Sequence, residues 1–107
     1  MAEEKHRNAQ TDRLMRAVLT LETVDEAYAF FEDLLTIPEF HSLSQRLEVA
    51  EKLVQKRTYQ EIGQMTGVST ATISRVNRAL CWGNKGYMTV LKRMNEGNPN
   101  QQEEEDL

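Results

Sequence analysis

Ser69-Thr70-Ala71-Thr72 is a run of small hydroxyl and methyl side chains, and Ser74, Arg75 and Arg78 follow it at helical spacing. Hydroxyls both donate and accept hydrogen bonds, and a guanidinium presents a rigid fork of donors that never loses its charge. Such a set recognises rather than reacts. Its natural targets are phosphate oxygens and the donor, acceptor and methyl edges of bases in a duplex groove. Thr70, Ala71 and Thr72 are suited to base edges, thymine methyls included. Lys56, Gln60, Gln64 and Ser74 are suited to phosphates, while Arg75 and Arg78 lie three residues apart and so share one helix face.

These side chains need a scaffold, and residues 58–81 supply the pattern of one. Thr58-x-x-Glu61 is a capping box that opens a helix, and Ser69 is a good cap for a second. Gly67 between them suits a left-handed turn. Val68 follows it and can plug the space between the helices. Ile62 on the first helix, with Ile73 and Val76 on the second, provides the apolar contact, and Gly63 stands where the helices approach most closely. Seven requirements agree in one short window, which is the pattern of a helix-turn-helix. The N-terminal amides of both helices add donors for phosphate.

The rest of the chain reads as helices around this segment. Leu14, Ala17, Val18 and Leu21 recur at helical spacing over 10–21. Thr23-x-x-Glu26 opens a helix whose apolar residues, Val24, Ala27, Tyr28, Phe30, Phe31, Leu34 and Leu35, form a face too wide for one small domain to cover. Pro38 stands in the first turn of a long amphipathic helix carrying Phe40, Leu43, Leu47, Ala50, Leu53 and Val54. A last helix carries Tyr87, Val90, Leu91 and Met94. The expected organisation is a flexible N-terminus over 1–9, one helical domain over 10–95, and an acidic disordered tail over 96–107.

Charge is distributed unevenly along the 107 residues. Residues 1–40 carry 4 basic and 9 acidic side chains, residues 41–93 carry 9 and 3, and residues 94–107 carry 5 acidic and no basic ones. The overall −4 therefore hides a basic centre of net +6. Salt limits electrostatic reach to about 8 Å at physiological strength, so the local surface and not the total decides whether a polyanion can bind.

Other function classes find little support. No apolar run approaches the roughly 18 residues of a membrane span. The N-terminus is charged from its third residue, unlike a secretory signal, and the one cysteine, Cys81, cannot close an internal disulfide, so a cytoplasmic location is expected. There is no glycine-rich phosphate loop, nucleophile–base pair or ligand cluster, so no enzyme and no metal site is expected; His6 and His41 are 35 residues apart. Cys81 and Trp82 are read as core packing, and Met65, Met88 and Met94 as gap-fillers. Glu103-Glu104-Glu105-Asp106 reads as a solubilising end or as a strap over the basic segment. A protein-interaction module with a vestigial helix-turn-helix is the alternative, but its second helix would favour exposed aromatics or leucines over Ser, Thr, Asn and Arg. RNA binding lacks the stacking aromatics.

Residues from about 34 to 94 resemble the Trp repressor superfamily, in its YerC/YecD-type branch. The resemblance is carried by LTIPEFHSLSQRLEVAEKLV, TYQEIGQMTGVSTATISRVNRAL and GNKGY. It implies an all-α fold, an intertwined homodimer whose helices interlock between chains while two reading heads project outward. It implies insertion of residues 69–78 of each copy into successive major grooves, roughly 34–36 Å apart on pseudo-palindromic operator DNA. It further implies an effector pocket at Thr36, Arg46, Arg75, Val76 and Ala79. Val76 stands where the repressor has a small glycine, and Ala79 where it has a serine for the ligand's amino group. Those departures predict that L-tryptophan is not the ligand and leave any co-repressor unnamed. The combined expectation is a homodimeric, sequence-specific DNA-binding regulator acting as a repressor.

Overall fold

A computed structural model describes residues 6–97. Among these residues there are six helices and no strand: α1 (Ala9–Val18), α2 (Val24–Leu34), α3 (Ile37–Val54), α4 (Tyr59–Thr66), α5 (Thr70–Trp82) and α6 (Gly86–Gly97). The chain divides into two compact units, Met1–Ser42 and Leu43–Leu107. Residues 1–5 and the Glu103–Asp106 run lie outside the described residues.

In the first unit, helix starts are fixed by short polar side chains. The Thr11 amide donates to Asn8 Oδ1 at 2.8 Å and the Asn8 amide to Thr11 Oγ1 at 2.9 Å. Helix α1 therefore starts at Ala9, because this reciprocal cap at Asn8 satisfies two otherwise unpaired amides. At α2 the Glu26 amide donates to Thr23 Oγ1 at 3.0 Å, whereas the Glu26 carboxylate accepts from Glu22 rather than from Thr23. Neither α1 nor α2 contains a buried residue. Val24 is 71% exposed and Tyr28 54%, and the one offset ring stack at α2 is Tyr28 on Phe40, 5.9 Å between centroids. Of the wide apolar face seen in the sequence, Val24, Tyr28 and Leu34 stand exposed, while Ala27, Phe30, Phe31 and Leu35 are half-buried.

Three elements of the second unit close on the C-terminal half of α3. Val49, Ala50, Ile62, Ile73, Val76 and Leu91 form its core, one or two from each helix, with Leu47, Leu53, Val68, Leu80 and Tyr87 packed around them. Val49 falls outside the expected stripe of α3, yet it is fully buried beside Ala50. Met65, Met88 and Met94 are between 43% and 49% exposed, so they fill no gap in this core; the gap-filler reading is corrected.

Gly63 stands where only a small side chain fits, and a methyl group is small enough. An added Cβ would meet the Val68 carbonyl oxygen at 3.8 Å, ordinary van der Waals contact. Alanine in mid-helix is about 0.8–1.0 kcal/mol better than glycine. Gly63→Ala should therefore raise the thermal midpoint by several degrees without altering the fold, measured by circular dichroism melting; a lower midpoint would mean the helices pack more tightly than shown.

Candidate nucleic-acid interface

The α4–turn–α5 segment is built by the local signals in its sequence. The Glu61 amide donates to Thr58 Oγ1 at 3.1 Å and the Thr58 amide to Glu61 Oε1 at 2.8 Å, completing the box that starts α4. The Thr58 backbone N–H, then its hydroxyl, holds the Glu61 carboxyl below its usual range. Glu39 is held low in the same order by Thr36. A carboxyl whose folded value is depressed contributes fully above its unfolded value, and the contribution fades as pH falls through the folded one. Both caps are thus complete at neutral pH and weaken in acid.

Gly67 ends α4 in the left-handed region at φ 73°, its amide donating to the Gly63 carbonyl at 2.9 Å. Thr66 Oγ1 donates to the Ile62 carbonyl and accepts the Val68 amide, so the turn is tied from inside. Val68 packs on the core as the plug the sequence suggested. Ser69 caps α5, its hydroxyl accepting from the Thr72 amide and donating to Thr72 Oγ1, both at 3.2 Å. At the far end Gly83 lets the chain leave: a Cβ there would lie 2.5 Å from the Ala79 carbonyl oxygen, a severe clash with backbone.

Burial of Ile73 and Val76 turns one side of α5 to the core and presents the other to solvent. Ser69, Thr70, Ala71, Arg75 and Arg78 are exposed, and Thr72 and Ser74 are half-buried. Lys56, Gln60 and Gln64 are exposed on the approach to and along α4. Among the described residues the ion pair recorded is Arg57–Glu61 at 3.7 Å, which leaves Arg75 and Arg78 without a carboxylate partner. Their donors stay available for an anion. Lys56 holds φ 68° at the end of α3, its amide donating to the Leu53 carbonyl and that of Arg57 to Lys52. This is a Schellman closure with lysine in the position that glycine normally takes.

The five residues of the expected effector pocket are divided between the two units. Val76 is 2% exposed and belongs to the hydrophobic core. Its isopropyl group is consumed by contacts that a glycine could not make. Ala79 lines an open cavity of about 460 Å³ with Leu47, Asn84, Gly86, Tyr87 and Val90, and neither Arg46 nor Arg75 is on that wall. Thr36 belongs to the first unit, where it lines a cavity of about 360 Å³ with Tyr28 and Phe40 among others. Its hydroxyl accepts the Glu39 amide at 3.3 Å, a capping box over Thr36-x-x-Glu39 that the sequence spacing offered and that went unread. Cys81 and Trp82 are corrected as well: both are exposed, Trp82 by 86%, so neither packs the core.

The Trp repressor protein family model matches residues 9–95. The chain belongs to the Trp repressor family. It is 48% identical over 93 residues to the uncharacterized protein YerC of Bacillus subtilis, covering 87% of this chain and 89% of that one. It is 30% identical over 102 residues to a Trp operon repressor homolog of Chlamydia caviae, covering 94% and 100%. A crystal structure of a candidate Trp repressor from Staphylococcus aureus superposes with a TM-score of 0.84 at 55% identity, over 89% of this chain and 95% of that one. The all-α, Trp repressor-like fold read from the sequence is therefore the fold of the chain. A Trp repressor family protein is a regulator and not an enzyme. No helix of the described residues is long and apolar enough to cross a membrane.

Proposed function

We propose that this Trp repressor family protein is a homodimeric, sequence-specific DNA-binding transcription regulator that represses by occupying operator DNA. The α4–turn–α5 segment is its helix-turn-helix. The observation that carries this reading is the division of α5 into two sides: Ile73 and Val76 anchor it to the core, and Ala71, Arg75 and Arg78 face solvent without carboxylate partners. Thr70, Ala71 and Thr72 reach base edges, while Lys56, Gln60, Gln64, Ser69, Ser74, Arg75 and Arg78 grip phosphates or set the register. The open apolar face of α2 supports dimerisation, because a second copy would cover what this chain leaves bare. Location in the cytoplasm accords with a DNA partner.

L-tryptophan is not the effector in this reading. The resemblance sets Val76 where a small glycine would leave room for a flat ring, and Ala79 brings no polar atom for an ammonium group. Selection of bound duplexes from a random pool, with and without amino acids, tests both statements. Enrichment of a pseudo-palindrome with half-sites one helical turn apart, unchanged by L-tryptophan, is expected; a pool that stays random removes the regulator assignment.

Lys56 links stability and binding. A non-glycine residue in the left-handed region costs about 1–2 kcal/mol, and glycine returns roughly half of the relief through its greater freedom when unfolded. Lys56→Gly should raise the melting midpoint by a few degrees and at the same time weaken duplex binding. Unchanged binding would remove Lys56 from the interface.

A further inference from the structure

Trp82 is the single tryptophan of the chain, and at 86% exposure it is the most open large apolar side chain among the described residues. An indole in that position offers an apolar ring and an N–H donor to whatever binds there. Its position follows a pattern. At about 100° per residue, Ala71, Arg75, Arg78 and Trp82 are spaced by four, three and four positions and fall on one stripe of α5. All four are exposed. Trp82 therefore continues the very stripe that carries the two unpaired guanidinium groups, and it shares with Arg78 a shallow cleft of about 360 Å³ that Ser74, Asn77 and Cys81 also line.

Charge decides what can cover the ring. From residue 62 to residue 95 the chain has no Asp or Glu, and it carries Arg75, Arg78, Lys85, Lys92 and Arg93. A two-fold contact between copies centred on Trp82 would press the same arginines against each other with no carboxylate in the stretch to relieve them. A polyanion meets no such penalty. Distance then selects which part of the duplex. Trp82 lies 12 residues beyond Thr70, roughly 18 Å along the helix axis. The major groove is about 8.5 Å deep and 12 Å wide, so with the first turn at the base edges the end of a helix inclined across the groove lies past the bases, at the level of the sugar–phosphate rim.

We propose that Trp82 is a DNA-backbone contact: its ring packs on deoxyribose and its indole N–H donates to a phosphate oxygen, beyond the bases that α5 reads. The inference rests on the DNA-binding reading above. It assigns Trp82 to affinity and not to sequence preference, since sugar and phosphate carry no base identity. As the only indole, Trp82 also reports its own surroundings by fluorescence.

The experiment titrates the full chain with dye-labelled duplex, one batch of selected sequence and one of random sequence, following dye anisotropy and tryptophan emission together. Emission should change in step with anisotropy, and Trp82→Ala should weaken both duplexes by about the same factor, roughly ten-fold. Trp82→Phe, which keeps an aromatic ring but loses the N–H, should fall between. Full binding with unmoved emission and unchanged affinity of Trp82→Ala overturns the inference and leaves the regulator reading intact. Emission that shifts with protein concentration alone, together with loss of the dimer in Trp82→Ala, overturns it in favour of a second copy. Absence of binding to any duplex overturns both.

Discussion

Ile73→Ala is expected to lower stability by about 2–5 kcal/mol, the range for removing a buried branched side chain and leaving a cavity. Ile73 is fully buried, and the core it shares has six buried residues drawn from α3 to α6. So small a core has little in reserve, because a domain typically holds only about 5–15 kcal/mol in total. The melting midpoint should fall by ten degrees or more, on the scale of roughly 4–8 °C per kcal/mol for a chain near this size. The cavity opens directly under the proposed recognition helix, so duplex binding should weaken with it. A midpoint that hardly moves would mean that α5 is held by something other than this face.

Arg78→Ala should do the reverse. Arg78 is exposed and without an ion pair among the described residues, so its removal should change stability by no more than about 0.5 kcal/mol. Duplex affinity should nevertheless fall roughly ten-fold or more for each lost charged hydrogen bond. The loss should be uniform across sequences, and the slope of log affinity against log salt should shallow by about 0.9 for each phosphate released. In a homodimer the substitution is present twice and the change in slope doubles. Undiminished affinity and slope would move the basic face elsewhere. The pair of variants separates the two sides of one helix: Ile73 reports on anchoring, Arg78 on contact.

The α4–turn–α5 window was legible because its determinants are local. A threonine three residues before a glutamate, a glycine at a left-handed turn and a serine at a helix start act through neighbours in sequence, and Thr58, Gly67 and Ser69 do in the structure what their spacing implies. Trp82 was misread because residue type was weighed above angle. It lies nine residues after Ile73, about 180° around the helix, so the spacing already placed it opposite the buried face. Thr36 caps α3 through Thr36-x-x-Glu39, a role that its spacing from Glu39 already carries in the sequence. Val76 shows the limit of position matching. The resemblance sets it against a small glycine, whereas its isopropyl group is part of the core here. The cover of the α2 face has no signal in one chain, since spacing shows that a face is apolar and not what lies on it.

The central claim is that the Ser69–Arg78 stretch of α5 is the part that meets a duplex. Amide chemical-shift mapping of the isotope-labelled full chain, titrated with a duplex carrying the selected site, tests it without any substitution. The account predicts that the largest shifts lie from Ser69 to Arg78 and at the start of α4, with the amides of α1 and α2 moving little. Shifts centred on α1 and α2 with a silent α5, or none at duplex excess, would contradict it.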